Sequence, residues 1–436
     1  MFHVFNSILA ASALVGLALA QPNPAIPEQV HLNFDDKLNV VVTWSTFAPR
    51  QSVVQYGVTA NALNIEAKGS SSKFVDPQYG FHTQYIHRVS LKDLVPQTKY
   101  YYRCGDGTNW SKTFHFHTVS INNDWSPRFG IYGDFGYENA QSLPRLSVES
   151  QSGHFDAILH VGDMGYDMIE ENSTLGDKFM RQIEPVAAYT PYMTCPGNHE
   201  YHFNFSNYRN RFSMPNQESM FYSFDVGPAH IISFSTEFYY YVWFGIDQIM
   251  NQYHWLKSDL QKANQPKNRA ERPWIITMGH RPMYCSNRDW DDCTFYNRDL
   301  VRKGLPLLQW YGLEKLFYDY GVDLEIYAHE HSFERLWPLM DKKVYNGSYQ
   351  HPYTNPGAPV HVITGSAGCR EGETKFMKEL PPWSAFHSMD YGYSRMTVHN
   401  ATHLTFEQVS DDKAGQVIDR FTLIKDKHGP YQLSQQ

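Results

Sequence analysis

The sequence predicts a two-part fold, an N-terminal all-β sandwich followed by an α/β unit. Two observations predict it: the length, and a change in the pattern of hydrophobic runs near residue 122. At 436 residues the chain exceeds one typical domain, so length favours two units. From about Pro22 to Thr118 the runs are β-branched or aromatic and separated by turn residues. Beyond the stretch from Asn122 to Pro127, which reads as a linker, short apolar runs alternate with Gly/Asp/His-rich loops and amphipathic helices, as α/β folds require.

Taken in order, residues 1–20 read as a signal peptide. The apolar stretch runs from Ile8 to Ala20, and the small residues Ala18 and Ala20 suit cleavage before Gln21, although a positive n-region is nearly absent. The stretch is shorter than the roughly 18 to 20 residues of a membrane anchor. The expectation is therefore export, to the extracellular space or the lysosome, without stable membrane insertion. Residues 21–122 form the β unit, with the runs LNVVVTWST, SVVQYGV, HRVSLKDLVPQTKYYYRCGD and KTFHFHT. Val89, Leu91, Leu94, Pro96, Thr98, Tyr100 and Tyr102 resemble the E-to-F region of a fibronectin type III sandwich. Tyr100 is either the corner tyrosine of that fold or a core aromatic.

Residues 123–430 form the second unit, including the C-terminal strands APVHVITGS, YSRMTVHN and HLTFEQVS. The runs RFGIY, DAILHV, TPYMT, PWIIT and LEIYA have strand length, and four of them are nearly all apolar, as in strands buried on both faces. Ile249, Tyr253, Leu256 and Leu260 have helical spacing. So do Leu313, Leu316, Phe317 and Tyr320, with Gly321 placed to end that helix.

Composition narrows the function classes. Hydrophobic residues make up 42% and charged residues 19%, which excludes a disordered chain. The formal net charge is -8 and no Lys/Arg run is dense enough to follow a phosphate backbone, so no nucleic-acid partner is expected. Asn109, Asn172, Asn204, Asn346 and Asn400 open Asn-x-Ser/Thr sequons, which suit a glycoprotein of the secretory pathway. The cysteines have no CxxC spacing. Cys285 and Cys293, close in sequence, are the candidate disulfide in an oxidising compartment.

The chemistry lies where each apolar run ends. There the chain carries Gly133-Asp134-Phe135-Gly136, Gly162-Asp163-Met164-Gly165-Tyr166, Gly197-Asn198-His199-Glu200, Gly279-His280 and Ala328-His329-Glu330-His331. Any one Gly-Asp turn is weak, because an Asx-turn explains it. Five such segments with carboxylate, amide and imidazole ligands, each at the end of a strand-like run, indicate two adjacent metal sites.

These blocks resemble those of the metallophosphoesterases, and Tyr166, three residues after Asp163, narrows the resemblance to the purple acid phosphatases. The preceding β unit and the stretches HRPMYCSN and AHEHSFERLWP are similar to the animal long form. The resemblance implies two mixed β-sheets flanked by helices in four layers. It implies that Asp134, Tyr166 and His331 hold one metal, that Asn198, His280 and His329 hold the other, and that Asp163 bridges them. Anionic oxygens and a phenolate suit Fe(III), whereas imidazole and amide suit a divalent ion, with zinc favoured over iron and manganese.

The implied activity is that of a secreted acid phosphatase, in which metal-bound hydroxide attacks a phosphate monoester in line. Phosphorylated small molecules or phosphoproteins are the implied substrates. His199 is the candidate catalytic group, to contact the phosphate or protonate the leaving alkoxide. Asn198, His202 and Arg288 join it as candidates for substrate binding. Glu200 and Glu330 read as hydrogen-bond acceptors behind the ligands or as solvated, and Arg335 as half of a structural ion pair.

Thr277 and Ala328 depart from the family blocks without removing a ligand. A larger departure is that no histidine lies between His280 and His329, where plant members carry a pair. Two other readings stand beside this one: a phosphodiesterase or nucleotide pyrophosphatase on the same core, and a non-catalytic secreted glycoprotein.

Overall fold

The computed structural model describes residues 23–215, 219–288, 293, 299–306 and 309–431. The signal-peptide expectation lies outside them. The N-terminal unit is a sandwich of two four-stranded sheets. One has the order Glu28–Phe34, Val40–Thr46, Thr83–Leu91, Ser70–Val75, and the other Ile65–Lys68, Val53–Gly57, Lys99–Gly105, Phe114–His117. Their inner faces bury Val30, Leu32, Val42, Trp44, Val89, Tyr102 and Phe116 in one apolar cluster. Tyr100 answers to both of its readings: its ring is buried, and its hydroxyl accepts the backbone N–H of Val95 at 3.1 Å.

The second unit is built on two mixed sheets. In the six-stranded sheet the parallel strands Tyr192–Cys195, Ala157–Val161 and Arg128–Tyr132 are followed by the antiparallel Gly392–Val398, His403–Ser410 and Gln416–Ile424. In the seven-stranded sheet Ala229–Ser233, Trp274–Met278, Leu324–Tyr327 and Val360–Thr364 run parallel. Tyr222–Val226 closes one edge, and Phe333–Leu336 with Ser384–Ser388 the other. Every residue of Ala157–Val161 and Trp274–Met278 is buried, as expected for strands covered on both faces.

Helices Leu143–Gln151 and Thr174–Ala187 pack together, and helix Asp247–Ala263 buries Ile249, Leu256 and Leu260. The predicted helix at Leu313 is shorter than its apolar spacing. It runs Glu314–Asp319, and Gly321 follows at φ +63°.

The two sheets meet at the ends of their parallel strands. A Cβ on Gly133, after Arg128–Tyr132, would lie 2.4 Å from the Cβ of Ala328, after Leu324–Tyr327. Only glycine permits that approach. The C-terminal strand is tied back by Arg335, whose guanidinium donates to both oxygens of Asp419 at 2.7 and 2.8 Å and lies between the rings of Trp337, Tyr353 and Phe421. It is a structural pair.

Candidate metal centre

Each ligand-type segment begins where a parallel strand ends, so the strand directions bring all five to one edge. Asp134 follows Arg128–Tyr132, Asp163 follows Ala157–Val161, Asn198 follows Tyr192–Cys195, His280 follows Trp274–Met278, and His329 follows Leu324–Tyr327. The backbone turns sharply there. Asp134, Asp163, Tyr166 and His329 have φ of 56°, 54°, 60° and 69°, a left-handed conformation that side chains other than glycine adopt at a cost. Gly162, at φ +82°, lies under His280, whose Nδ1 a Cβ would approach to 2.5 Å.

Two groups of donors result. In the first, the Tyr166 hydroxyl is 2.8 Å from His331 Nε2 and 3.4 Å from Asp134 Oδ1, and His331 Nε2 is 3.6 Å from the same carboxylate. In the second, His280 Nε2 is 3.1 Å from Asn198 Oδ1 and 3.1 Å from Asp163 Oδ2. One donor atom each of Asp163, His280 and His329 falls within 4.8 Å of the others. Asp163 touches the second group, and its charge acts on Asp134, Tyr166 and His331 of the first. Its Oδ1 accepts the backbone N–H of His199 at 2.9 Å, whereas its buried Oδ2 makes no hydrogen bond of good geometry among the described residues.

The outer partners fix these atoms. Asp134 Oδ2 accepts the His329 N–H at 2.9 Å, the Val161 carbonyl accepts from His280 Nδ1 at 2.9 Å, and the Gly372 carbonyl accepts from His331 Nδ1 at 2.8 Å. That leaves Nε2 of both rings facing the centre. Glu200 is buried and accepts three backbone N–H groups, from Asp163 at 3.0 Å, Met164 at 2.9 Å and Gly197 at 2.8 Å. It therefore holds two ligand loops in register.

The charges are frustrated without cations. Burial, then Asp134, pushes the Tyr166 phenol well above its usual range, and burial also raises Asp134 and Glu200. Asp163 is held down despite its burial, by His280 and then His199. Burial lowers His331 to about 4, which suits a neutral ligand ring. A phenolate and two carboxylates in a dry site need a positive partner, and the donor set fits a hard cation on the Tyr166 side and a divalent cation on the His280 side.

The His199 ring lies against Tyr166, with centroids 4.3 Å apart and planes tilted by 39°. Its Nδ1 is 3.2 Å from Asp167 Oδ2, and its Nε2 is 3.5 Å from Glu371 and 3.9 Å from Asp163 Oδ2. Burial lowers its pKa, but Asp163, Asp167 and Glu371 outweigh that and raise it to about 9. His202 Nε2 lies 3.5 Å from the other Asp167 oxygen. Arg288 is exposed, and its backbone N–H donates to the Lys375 carbonyl at 2.7 Å.

Sequence reasoning missed several neighbours. Asp167 collects His199, His202 and Arg370, the last at 2.8 Å. Cys369 Sγ is 3.5 Å from His331 Nδ1. Arg281, next to His280, is 3.0 Å from His329 Nε2 and reaches both oxygens of Glu237. Only Asp167 and Arg281, adjacent to candidate ligands, carried a local signal.

Cys285 and Cys293 are joined, and Cys293 Sγ lies 3.2 Å from Oε1 of the buried Glu330, between the two histidines of its block. Among the sequons, Asn172, Asn346 and Asn400 are exposed, and Asn109 and Asn204 are half-buried.

Comparison with known families and proteins shows the family of the chain. Residues 27–118 match the purple acid phosphatase N-terminal domain, 127–333 the calcineurin-like phosphoesterase domain, and 358–420 the domain described as iron/zinc purple acid phosphatase-like protein C. Acid phosphatase type 7 of Danio rerio is 55% identical over 93% of this chain and 92% of its own length. Its Homo sapiens counterpart is 52% identical over 94% of each. A purple acid phosphatase structure from yellow lupin seeds superposes with a TM-score of 0.74 at 24% identity, covering 93% of this chain and 75% of that one.

Proposed function

The chain belongs to the purple acid phosphatase family and is an acid phosphatase, and from that premise we propose that it is a secreted or lysosomal glycoprotein that hydrolyses phosphate monoesters at an Fe(III)–divalent centre. The observation that carries the reading is the convergence of Asp134, Tyr166 and His331 on one side of Asp163, and of Asn198, His280 and His329 on the other. Asp163 Oδ2, buried and 3.1 Å from His280 Nε2 but without a hydrogen bond of good geometry among the described residues, is the oxygen left for a cation. When bound, the two cations would polarise the phosphoryl oxygens and make water nucleophilic near neutral pH. Zinc fits the divalent position, because its ligands there are imidazole, amide and carboxylate.

The chain's own groups do the rest. Asp167 holds His199 through Nδ1, which leaves Nε2 on the side of Asp163 as the atom that passes a proton to the leaving oxygen. The Asn198 amide and the His199 ring are the polar groups that orient the phosphate. His202 shares Asp167 and steadies that carboxylate. Small phosphomonoesters or phosphoproteins are the substrates this mouth would admit.

The test is turnover of an aryl phosphate across pH by protein loaded with iron and zinc, with elemental analysis and a visible spectrum of the same sample. Metal-dependent monoester hydrolysis, one iron and one divalent ion per chain, and a purple or pink band from Tyr166 are expected. Loaded protein that hydrolyses nothing would overturn the activity. Faster turnover of a diester than of the matching monoester would overturn the substrate class.

A further inference from the structure

We propose that the loop 234–246 and the segment 199–205 form an aromatic subsite that receives the aryl group of a phosphomonoester, with Trp243 as its specificity-determining residue. The inference rests on the monoesterase reading above. The loop follows strand Ala229–Ser233, which runs parallel to Trp274–Met278 and so ends at the same edge as the ligand loops. Its root is fixed to the centre at two points. Arg281, the neighbour of His280, donates through Nε to both Glu237 oxygens at 3.2 and 3.0 Å and through its backbone N–H to Thr236 Oγ1 at 3.0 Å. The Tyr241 hydroxyl donates to the main-chain carbonyl of Asn198 at 3.4 Å.

Root and tip differ sharply in exposure. Glu237, Phe238 and Tyr239 are buried, whereas Trp243 is 66% exposed. The rings form a continuous wall. Tyr201 lies 4.1 Å from His202 and stacks on Tyr241 at 4.6 Å with planes 4° apart, and Trp243 stands edge-on to Tyr241 at 5.1 Å. Phe203 is also exposed, at 48%, and begins a run of three left-handed residues, Phe203, Asn204 and Phe205, with φ of 51°, 54° and 62°. Non-glycine residues are strained in that region, and such strain collects at ligand sites. Phe205 is buried against Phe238, Tyr241 and Phe244, which holds the strained run against the loop.

An indole left in solvent on a loop that is anchored to the candidate ligand segments suits a flat apolar ligand. The Tyr241 end of the wall meets the Asn198 main chain, so the wall borders the segment that carries a candidate ligand. An aryl leaving group offers the rings a face to stack on, and an aliphatic alcohol offers none.

The experiment compares kcat/KM for phenyl phosphate and 2-glycerophosphate in metal-loaded wild type, Trp243→Ala and Trp243→Phe. Intrinsic leaving-group differences cancel when each variant is referred to wild type. Trp243→Ala is expected to lose about tenfold on phenyl phosphate, the scale of one stacking contact, and less than about twofold on 2-glycerophosphate. Trp243→Phe should recover most of the loss. Calorimetry gives a second readout: phenylphosphonate should bind Trp243→Ala about tenfold more weakly than wild type, and methylphosphonate equally. Equal losses on both esters, or none, overturn the subsite. Wild type that turns over neither ester overturns the phosphatase reading instead, and phenylphosphonate binding still decides the subsite.

Discussion

Strand Leu324–Tyr327 has a buried carboxylate just before it and the histidine block just after it, and the two ends treat buried charge in opposite ways. At the start, Asp323 is met by Lys425, by Arg269 at 3.2 Å, by His428 at 3.3 Å and by the backbone N–H of Ile275 at 2.9 Å. At the far end, across the edge where the sheets meet, Asp163 is equally buried, but its Oδ2 has only imidazoles beside it among the described residues, His280 Nε2 at 3.1 Å and His199 Nε2 at 3.9 Å, and makes no hydrogen bond of good geometry. Both carboxyls are held well below the usual carboxylate range against the opposing effect of burial, Asp323 chiefly by Lys425 and Asp163 chiefly by His280. A depressed pKa therefore does not separate the structural end from the functional one. The partners do: Lys425, Arg269 and a backbone N–H close round Asp323, whereas Oδ2 of Asp163 faces imidazoles that are themselves candidate ligands or proton donors.

The largest way to break the comparison is Asp163→Ala. Removal of the carboxylate proposed to bridge the metals should lower kcat in loaded protein by about a thousandfold or more, the scale seen when a central electrostatic group is lost. It should cost the metal-free fold about 1 to 3 kcal/mol, for the hydrogen bond to the His199 N–H and the contact with His280, less than for Asp323 because an imidazole left without its carboxylate can shed its proton. Turnover and thermal unfolding of the same preparation check both. A collapse in stability that matched the loss of activity would make Asp163 structural.

Asp323→Ala should reverse that pattern. It strands Lys425 and Arg269, so about 3 to 5 kcal/mol of stability should go, with turnover per folded, loaded molecule unchanged. The folded pKa lies below the unfolded value, so the stabilisation is fully present above the ordinary carboxylate pKa of about 4 and is lost as pH falls below it. The gap between wild type and variant in denaturant melts should therefore be widest above about pH 5 and narrow on acidification. A gap constant with pH would remove the ion cluster as the cause.

Much of this was legible along the sequence because it is local. A buried parallel strand needs an unbroken apolar run, and a ligand loop follows at once, so Asp134, Asp163, Asn198, His280 and His329 announce themselves by register. The two-sheet arrangement came through the family resemblance. What the sequence hid is set by tertiary convergence. Arg370 reaches Asp167 across 203 residues, and the aromatic wall joins residues near 201 to residues near 241. Neither pairing leaves a periodic trace. The Leu313 to Tyr320 pattern also overstated its helix, because the two end residues cap it.

The smallest and sharpest test concerns Glu200, which had two sequence readings, an acceptor behind the ligands or a solvated acid. It shares the burial of Asp163 and Asp323, but its oxygens are met by three backbone N–H groups and it makes no ion pair among the described residues. It stands between the two ends of the comparison: satisfied like Asp323, and placed like Asp163. In Glu200→Gln one oxygen is replaced by an NH₂ that must face a donor, so at least one of the Asp163, Met164 and Gly197 contacts fails. The metal-bearing loops then lose their shared anchor while every ligand remains. The expected result is a loss of about tenfold in zinc affinity, read by competition with a chelator, with the metal-free melting temperature within a few degrees of wild type. Unchanged affinity with lowered stability would assign Glu200 to the structural end. Lowered affinity with unchanged stability would extend the functional end one shell beyond the ligands.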